Sequence, residues 1–144
     1  MTTHRLFDTS VYSTILRDAT FAQMFRPRYV RNIPFTHYSA VVIHELLAGA
    51  RILRQRRQAA LLYEPFERVR CIVTPSHLVR KEAAAVVATV FEQAPQLQSK
   101  ISPGLLHDIR IALSGRAIGA TVVTRNGADF RLLQQYRPFT LEVI

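Results

Sequence analysis

Residues 121–130, TVVTRNGADF, contain the strand-turn-helix pattern that decides the expected fold. The first four residues are all β-branched and predict a short buried strand. Asn126 then stands where it can cap a helix over residues 128–135. Asp129 therefore lies within one helical turn of the end of a strand.

The rest of the chain repeats this alternation of strands and helices. Leu6 and Phe7 predict a first strand, residues 70–74 (RCIVT) a middle strand and residues 139–143 a last strand. Helices are expected over residues 11–17, 40–50, onward to about 63, 78–91 and 105–118, with Ser39, Ser76 and Ser102 as caps. Pro65 is expected to end the third of these, and Pro27 and Pro34 to bracket an irregular basic segment. This order predicts an α/β domain with a mostly parallel sheet.

Length and composition indicate a single domain over residues 1–144. A chain of 144 residues that is 49% hydrophobic can bury its own core. Cys71 is the only cysteine, which excludes an internal disulfide and a thiolate zinc cluster. No apolar run resembles a signal peptide or a membrane span, so we expect a cytoplasmic protein without membrane association. The P-loop and dinucleotide-binding patterns are also absent, which argues against an ATPase or a nicotinamide enzyme.

The charge pattern favours a polyanionic partner. The formal net charge is +9, and Lys81 and Lys100 are the only lysines among 19 basic residues, so 17 are arginine. Arginine offers bidentate donors to phosphate oxygens. A basic cluster, defined here as Arg26, Arg28, Arg31, Arg51, Arg54, Arg56 and Arg57, suits an RNA backbone or the acidic tail of a protein partner. An ordinary solvated helix face explains such a cluster equally well.

Glu45 and Asp108 are acids on apolar helices. The helical neighbours of Glu45 in SAVVIHELLAGA are almost all apolar, which predicts a buried helix. A salt bridge to an arginine is the alternative explanation for Glu45. Asp108 shares its helix side with Ile111, Ala112, Gly115 and Gly119, and these small residues permit close packing on the sheet. For Asp108, a favourable interaction with the helix dipole is an equally good explanation.

Asp8 and Asp129 follow strand ends. In an α/β sheet this is the edge where ligands bind. Each also stands beside a helix start, so a capping role explains either one alone. Four such acids on separate elements are harder to explain as unrelated caps. Because buried carboxylates need compensation, the four together predict a site for Mg²⁺ or Mn²⁺, which prefer oxygen ligands.

Several segments resemble the PIN-domain ribonucleases, and among them the small VapC-like toxins of bacterial toxin-antitoxin pairs. The matching segments are LFDTS at residues 6–10, HELLAG around Glu45, LHDIRIALSGRAIGA around Asp108, CIVTPS at residues 71–76 and VTRNGADF at residues 123–130. The last is the most specific, because Asn126, Asp129 and Phe130 fit the family's Asn-x-x-Asp-Phe pattern. The resemblance covers nearly the whole chain and is weakest over residues 26–33.

The resemblance implies a three-layer α/β/α fold and metal-dependent hydrolysis of RNA. Asp8, Glu45, Asp108 and Asp129 would bind one or two ions that activate water and stabilise charge on the phosphate. By analogy with polar positions of the family, Thr9, Thr124 and Asn126 would support the metal site or contact substrate, although ordinary capping is the better explanation for Asn126. The expected partners are an RNA substrate, a small antitoxin and a second copy of the chain in a homodimer.

Two other functions remain open from the sequence. The domain would be a non-catalytic, basic RNA- or protein-binding module if its acids serve only as caps and ion pairs. It would be a DNA nuclease if the same metal chemistry acts on a different substrate, since the site residues do not distinguish RNA from DNA.

Overall fold

The computed structural model describes residues 3–100 and 103–144. Five strands form one parallel sheet: β1 (Arg5–Phe7), β2 (Thr36–Ser39), β3 (Ile72–Val73), β4 (Thr121–Thr124) and β5 (Leu141–Val143). Their order across the sheet is β3-β2-β1-β4-β5. The predicted α/β class with a parallel sheet is therefore confirmed.

Helices connect the strands. They are α1 (Thr9–Arg17), α2 (Ala19–Asn32), α3 (Ala40–Gly49), α4 (Leu53–Arg68), α5 (His77–Gln93), α6 (Pro103–Ala117) and α7 (Gly127–Gln134), with short 3-10 turns at Ile33–Phe35 and Pro95–Lys100. Right-handed crossovers place α1 to α4 on one face of the sheet and α5 to α7 on the other. The packing of α1 on α2, α3 and α4, and of α6 on α5 and α7, agrees with this arrangement. The sheet and the helices on its two faces form three layers.

The predicted helix boundaries are largely confirmed. Ser39 and Ser76 cap α3 and α5 by accepting hydrogen bonds from the backbone N–H groups of Val41 and Val79. The predicted cap Ser102 lies outside the described residues. In that described part of the chain, no helix is both long and apolar enough to cross a bilayer.

Two proline-based predictions are wrong, because α2 runs through Pro27 and α4 runs through Pro65. In α2, Phe21, Phe25 and Tyr29 recur at four-residue spacing and form an aromatic stripe. Phe25 and Tyr29 pack on the buried ring of Phe7, with ring centroids 5.9 and 5.5 Å away. This burial offsets the hydrogen bond that a proline removes from a helix interior.

The same explanation holds for α4. Phe66 lies just beyond Pro65, is buried, and packs its ring 5.4 Å from that of Tyr38. The sequence prediction also missed β2, whose four residues THYS include a single large hydrophobic side chain. Two predicted strands are shorter than expected, since β3 and β5 span only Ile72–Val73 and Leu141–Val143.

Candidate active site

The site lies at the point where the connections of the sheet change direction. The chain passes from β1 outward to β2 and β3, and then returns to β4 on the other side of β1. The carboxyl ends of β1 and β4 therefore flank the topological switch point, where open α/β sheets bind ligands. Asp8 directly follows β1, and Asp129 lies on the first turn of α7 after β4.

Asp8 is fixed by hydroxyl groups on both of its oxygens. Only 2% of Asp8 is exposed. Its Oδ1 accepts a hydrogen bond from Ser10 Oγ at 2.6 Å, and its Oδ2 accepts one from Thr124 Oγ1 at 2.8 Å. Burial raises the pKa of Asp8, and these two hydroxyl donors partly oppose the rise. Asp8 is also the N-cap residue of α1, and the backbone N–H groups of Val11 and Ser10 in the first turn of that helix lower its pKa in the same way as the two hydroxyls.

Glu45 enters the site from α3. Its Oε1 accepts a hydrogen bond from Thr9 Oγ1 at 2.6 Å, which links α3 to the residue after Asp8. The prediction that α3 is a buried helix is wrong, because only Val41, Val42 and Leu46 are buried within it. His44, Ala48 and Gly49 of this helix are exposed, and Glu45 is half-buried.

Asp108 interacts electrostatically with each of the other three acids. Burial raises the pKa of Asp108 to about 8, and the negative charges of Asp8, Asp129 and Glu45 add to the rise, as does a side-chain hydrogen bond with Asp129. A hydrogen bond between two carboxyl groups requires that one of them be protonated. The structure thus brings the four predicted acids into one cluster, in which the charges of Asp8, Asp129 and Glu45 act on Asp108.

The four acids form no salt bridge with any arginine in the described part of the chain. The salt bridges there involve Glu64, Glu82 and Glu142, with Arg5, Arg28, Arg68, Arg116 and Arg137 as their basic partners. The salt-bridge explanation for Glu45 is therefore wrong. In a protein with net charge +9, this cluster of four carboxylates forms no ion pair with an arginine in the described residues.

The donor set suits a hard divalent cation, because it consists of carboxylate and hydroxyl oxygens. In the present arrangement, however, no three His, Cys, Asp or Glu side chains among the described residues stand where they could hold a metal ion. Both oxygens of Asp8 accept hydrogen bonds, and Asp108 is paired with Asp129. Binding of one cation by three or more of these acids would therefore require their side chains to move from the positions that they occupy here.

The residues predicted to support the site have different roles. Thr124 contacts Asp8 and Thr9 contacts Glu45, so both hydroxyls orient an acid. Asn126 is exposed, and its side chain makes no capping hydrogen bond to α7, which contradicts the favoured capping role. Its backbone N–H instead donates to Thr124 Oγ1 at 2.9 Å.

Sequence analysis missed the part played by Ser10 in the site. Besides donating to Asp8, Ser10 Oγ accepts a hydrogen bond from the backbone N–H of Arg125 at 2.9 Å and lies 3.3 Å from Thr124 Oγ1. It therefore joins the ends of β1 and β4 across the switch point. The signal was its position two residues after Asp8, which fits a helix start equally well.

The sequence matches no protein-family model and no curated protein. The structure does resemble solved structures over nearly its whole length. A chain of the DNA-bound VapBC from Salmonella typhimurium has a TM-score of 0.71 at 19% identity, with 99% of this chain and 98% of that chain covered. VapBC-1 from nontypeable Haemophilus influenzae has a TM-score of 0.66 at 16% identity, with 96% of each chain covered. FitAcB from Neisseria gonorrhoeae has a TM-score of 0.58 at 21% identity, with 95% of each chain covered.

The chain therefore has the three-layer, PIN-like α/β fold. The resemblance to VapC-like PIN domains inferred from the sequence is confirmed at the level of the fold.

Proposed function

We propose that this protein is a metal-dependent endoribonuclease that acts as the toxin of a toxin-antitoxin pair. The observation that carries the proposal is the cluster of Asp8, Glu45, Asp108 and Asp129 at the switch point, without a basic partner in the described residues. Uncompensated carboxylates at a ligand-binding edge are best explained by a cation that they bind.

In this proposal the four acids hold one or two Mg²⁺ or Mn²⁺ ions, which supply activation of water and stabilisation of charge on the phosphate. The chain itself supplies orientation. Thr124 and Ser10 fix the carboxylate plane of Asp8, and Thr9 does the same for Glu45. No side chain is needed as a nucleophile, because water attacks the phosphodiester.

The similar structures support the toxin role and an antitoxin partner, since their descriptions name VapBC and FitAcB. A small antitoxin would contact the basic cluster through acidic residues, and two copies of the chain would form a homodimer. Measurement of the mass of the purified chain in solution, alone and with the product of an adjacent small reading frame, tests both assignments.

The test of the nuclease activity is cleavage of a mixed RNA pool and a DNA pool of matched sequence. Wild type and Asp8→Asn are compared in Mn²⁺, in Mg²⁺ and in EDTA, and Glu92→Gln serves as a control that removes an exposed acid from α5. We expect RNA cleavage that requires metal, persists in Glu92→Gln and falls at least about 100-fold in Asp8→Asn, which corresponds to about 2.7 kcal/mol of transition-state stabilisation.

Equal cleavage by wild type and Asp8→Asn would disprove this site. Cleavage of DNA in preference to RNA would show that the same chemistry serves a DNA nuclease. Among the described residues, no three acidic, histidine or cysteine side chains stand in position to hold a metal, and this favours a second candidate, a non-catalytic binding module. RNA binding without any cleavage would support that second function.

A further inference from the structure

A cavity opens at the same end of the sheet as the acids. Its volume is about 280 Å³, and its walls include His44 from α3, Thr74 after β3, Arg80 from α5, and His107 and Arg110 from α6. We call it the Arg80–Arg110 cavity. Because β3 lies two strands away from β1 in the sheet and neighbouring strands are about 4.8 Å apart, Thr74 after β3 lies on the order of 10 Å from the end of β1.

The two arginines of this cavity lack acidic partners. Neither guanidinium takes part in a salt bridge or a side-chain hydrogen bond within residues 3–100 and 103–144, whereas Arg5, Arg28, Arg116 and others are paired. Arg80 and Arg110 come from different helices and line one cavity. Two such guanidinium groups offer donors to an anion with several oxygens, and phosphate is the best match to their planar donor geometry.

The two histidines add donor groups and an unsatisfied polar atom. The rings of His44 and His107 lie 5.4 Å apart, and His107 Nδ1 is buried without a hydrogen-bond partner in the described part of the chain. The His107 ring lines the cavity, and imidazole N–H groups are additional donors for a bound anion. The cavity is also close in size to known small-molecule sites, which begin at about 300 Å³.

The position of the cavity indicates which phosphate it binds. His44 directly precedes Glu45, and His107 directly precedes Asp108, so the cavity and the acidic cluster share α3 and α6. A single strand that crosses the acids at β1 and β4 would continue along the sheet edge toward β3. We propose that the Arg80–Arg110 cavity binds the phosphate of a nucleotide that flanks the one at the acidic cluster in an RNA strand. This inference rests on the proposed ribonuclease function.

The test measures RNA affinity without cleavage. Wild type, Arg80→Gln, Arg110→Gln and Arg70→Gln are compared by fluorescence anisotropy with a labelled single-stranded RNA of about 12 nucleotides in EDTA, over a series of salt concentrations. Arg70→Gln is the matched control, because Arg70 is exposed and lacks an acidic partner in the described residues. It precedes β3 and so lies at the amino end of that strand, whereas the cavity opens at the carboxyl ends of the strands. Equal melting temperatures establish that the variants are folded.

We expect each cavity variant to bind RNA about tenfold more weakly and to reduce the slope of log affinity against log salt by about 0.7, the value for one lost phosphate contact on a single strand. Arg70→Gln should change affinity less than about twofold, as a distant surface charge does. In cleavage assays the cavity variants should raise KM with little change in kcat, because a contact to a flanking phosphate binds substrate and transition state alike.

Equal losses in all three variants would overturn the proposal, since they would reflect net charge alone. Unchanged RNA affinity with a lost affinity for a glutamate-rich peptide would also overturn it and assign the cavity to an acidic protein partner. If wild type cuts no RNA in any metal but the cavity variants still lose RNA affinity, the phosphate site is supported and the nuclease function fails. If wild type cuts RNA and the cavity variants match it in KM and affinity, the nuclease stands and the phosphate site is disproved.

Discussion

Asp108 is the acid of the site whose ionisation is most strongly disfavoured. Its carboxyl group is half-buried and faces the negative charges of three other acids, so burial and then like-charge repulsion raise its pKa to about 8. A group that resists ionisation in this way destabilises the folded chain when it carries its charge. Under the proposed function, the same crowding of carboxylates would favour binding of a cation, so metal affinity and instability of the metal-free protein would have one origin.

We predict that Asp108→Asn stabilises the metal-free protein. The neutral amide keeps the shape of the side chain and removes its repulsion with Asp8, Asp129 and Glu45. In EDTA the melting temperature should rise by about 2–4 °C, which for a domain of this size corresponds to about 1 kcal/mol. Differential scanning calorimetry with and without Mn²⁺ provides the measurement.

Glu92→Gln is the control for that experiment, because Glu92 is an exposed acid on α5. It should leave the melting temperature unchanged in EDTA and keep the full stabilisation by Mn²⁺, whereas Asp108→Asn should lose much of it. A lower melting temperature for Asp108→Asn in EDTA would contradict the prediction and indicate a stabilising role for the charged form.

Among the helices, α6 places Asp108 by packing closely on the sheet. The contact occurs at Gly115, where an added Cβ would lie 2.7 Å from Val122 Cγ2 on β4 and 3.5 Å from Leu6 Cδ2 on β1. Real Cβ atoms essentially never approach another heavy atom so closely. The absence of a side chain at position 115 thus sets the distance between α6 and the strands that end at the site.

We predict that Gly115→Ala destabilises the protein by about 1–3 kcal/mol, the usual cost of overpacking a core. Alanine is otherwise the better helix former by about 1 kcal/mol, so a net loss would show that the close contact dominates. Urea unfolding measures the difference. The matched control is Gly49→Ala at the end of α3, where an added Cβ meets nothing within 4 Å and stability should be unchanged or slightly higher. Equal effects of the two substitutions would disprove the packing argument.

The elements that sequence analysis predicted well are those specified by local signals. The β-branched run of β4 and the serine caps of α3 and α5 need only a few neighbouring residues to be recognised. The course of α2 and α4 depends instead on distant contacts. Phe25 and Phe66 pack on rings from β1 and β2, and this tertiary burial outweighs the local effect of Pro27 and Pro65.

The residues of the candidate site also differ in whether local sequence signals reveal them. Asp8 and Asp129 were found because strand ends are visible in the sequence, and Asp108 because small residues share its side of the helix. The Arg80–Arg110 cavity was not foreseen, because its walls come from α3, α5, α6 and the segment after β3. Residues this far apart in sequence become neighbours only through the order of the strands. Their spacing along the chain therefore contains no signal.

Across the whole molecule, charge is separated between the site and the remaining surface. Three of the other six acids, Glu64, Glu82 and Glu142, form salt bridges with arginines, while the four acids of the cluster form none with an arginine in the described residues. Outside the cluster, 19 basic residues face only six acids. A strand of RNA would thus be attracted by a strongly basic surface toward one acidic cleft, which repels phosphate unless a cation is bound. Metal should therefore increase RNA affinity at the cleft.

Glu142 forms ion pairs with two arginines that are far from it in the sequence. It lies on β5 and forms salt bridges with Arg5 on β1, at 2.5 Å, and with Arg28 on α2. Burial alone would raise the pKa of Glu142, but the two arginines outweigh it and hold the pKa below its ordinary value of 4.5. A lowered pKa means that the folded state favours the charged form. The stabilisation is present above pH 4.5 and is lost as the pH falls through the lower folded value.

We therefore predict that wild type exceeds Glu142→Gln in free energy of unfolding near neutral pH and that this difference vanishes in acid. Because the pair is partly exposed, the difference near neutral pH should be about 1 kcal/mol or less, and it should shrink at high salt. Urea unfolding of both proteins from pH 7 to below about pH 4 measures it. Glu67→Gln is the control, because Glu67 is exposed and has no salt bridge in the described residues. A difference that persists unchanged in acid would mean that Glu142 stabilises the sheet by packing and not by its charge.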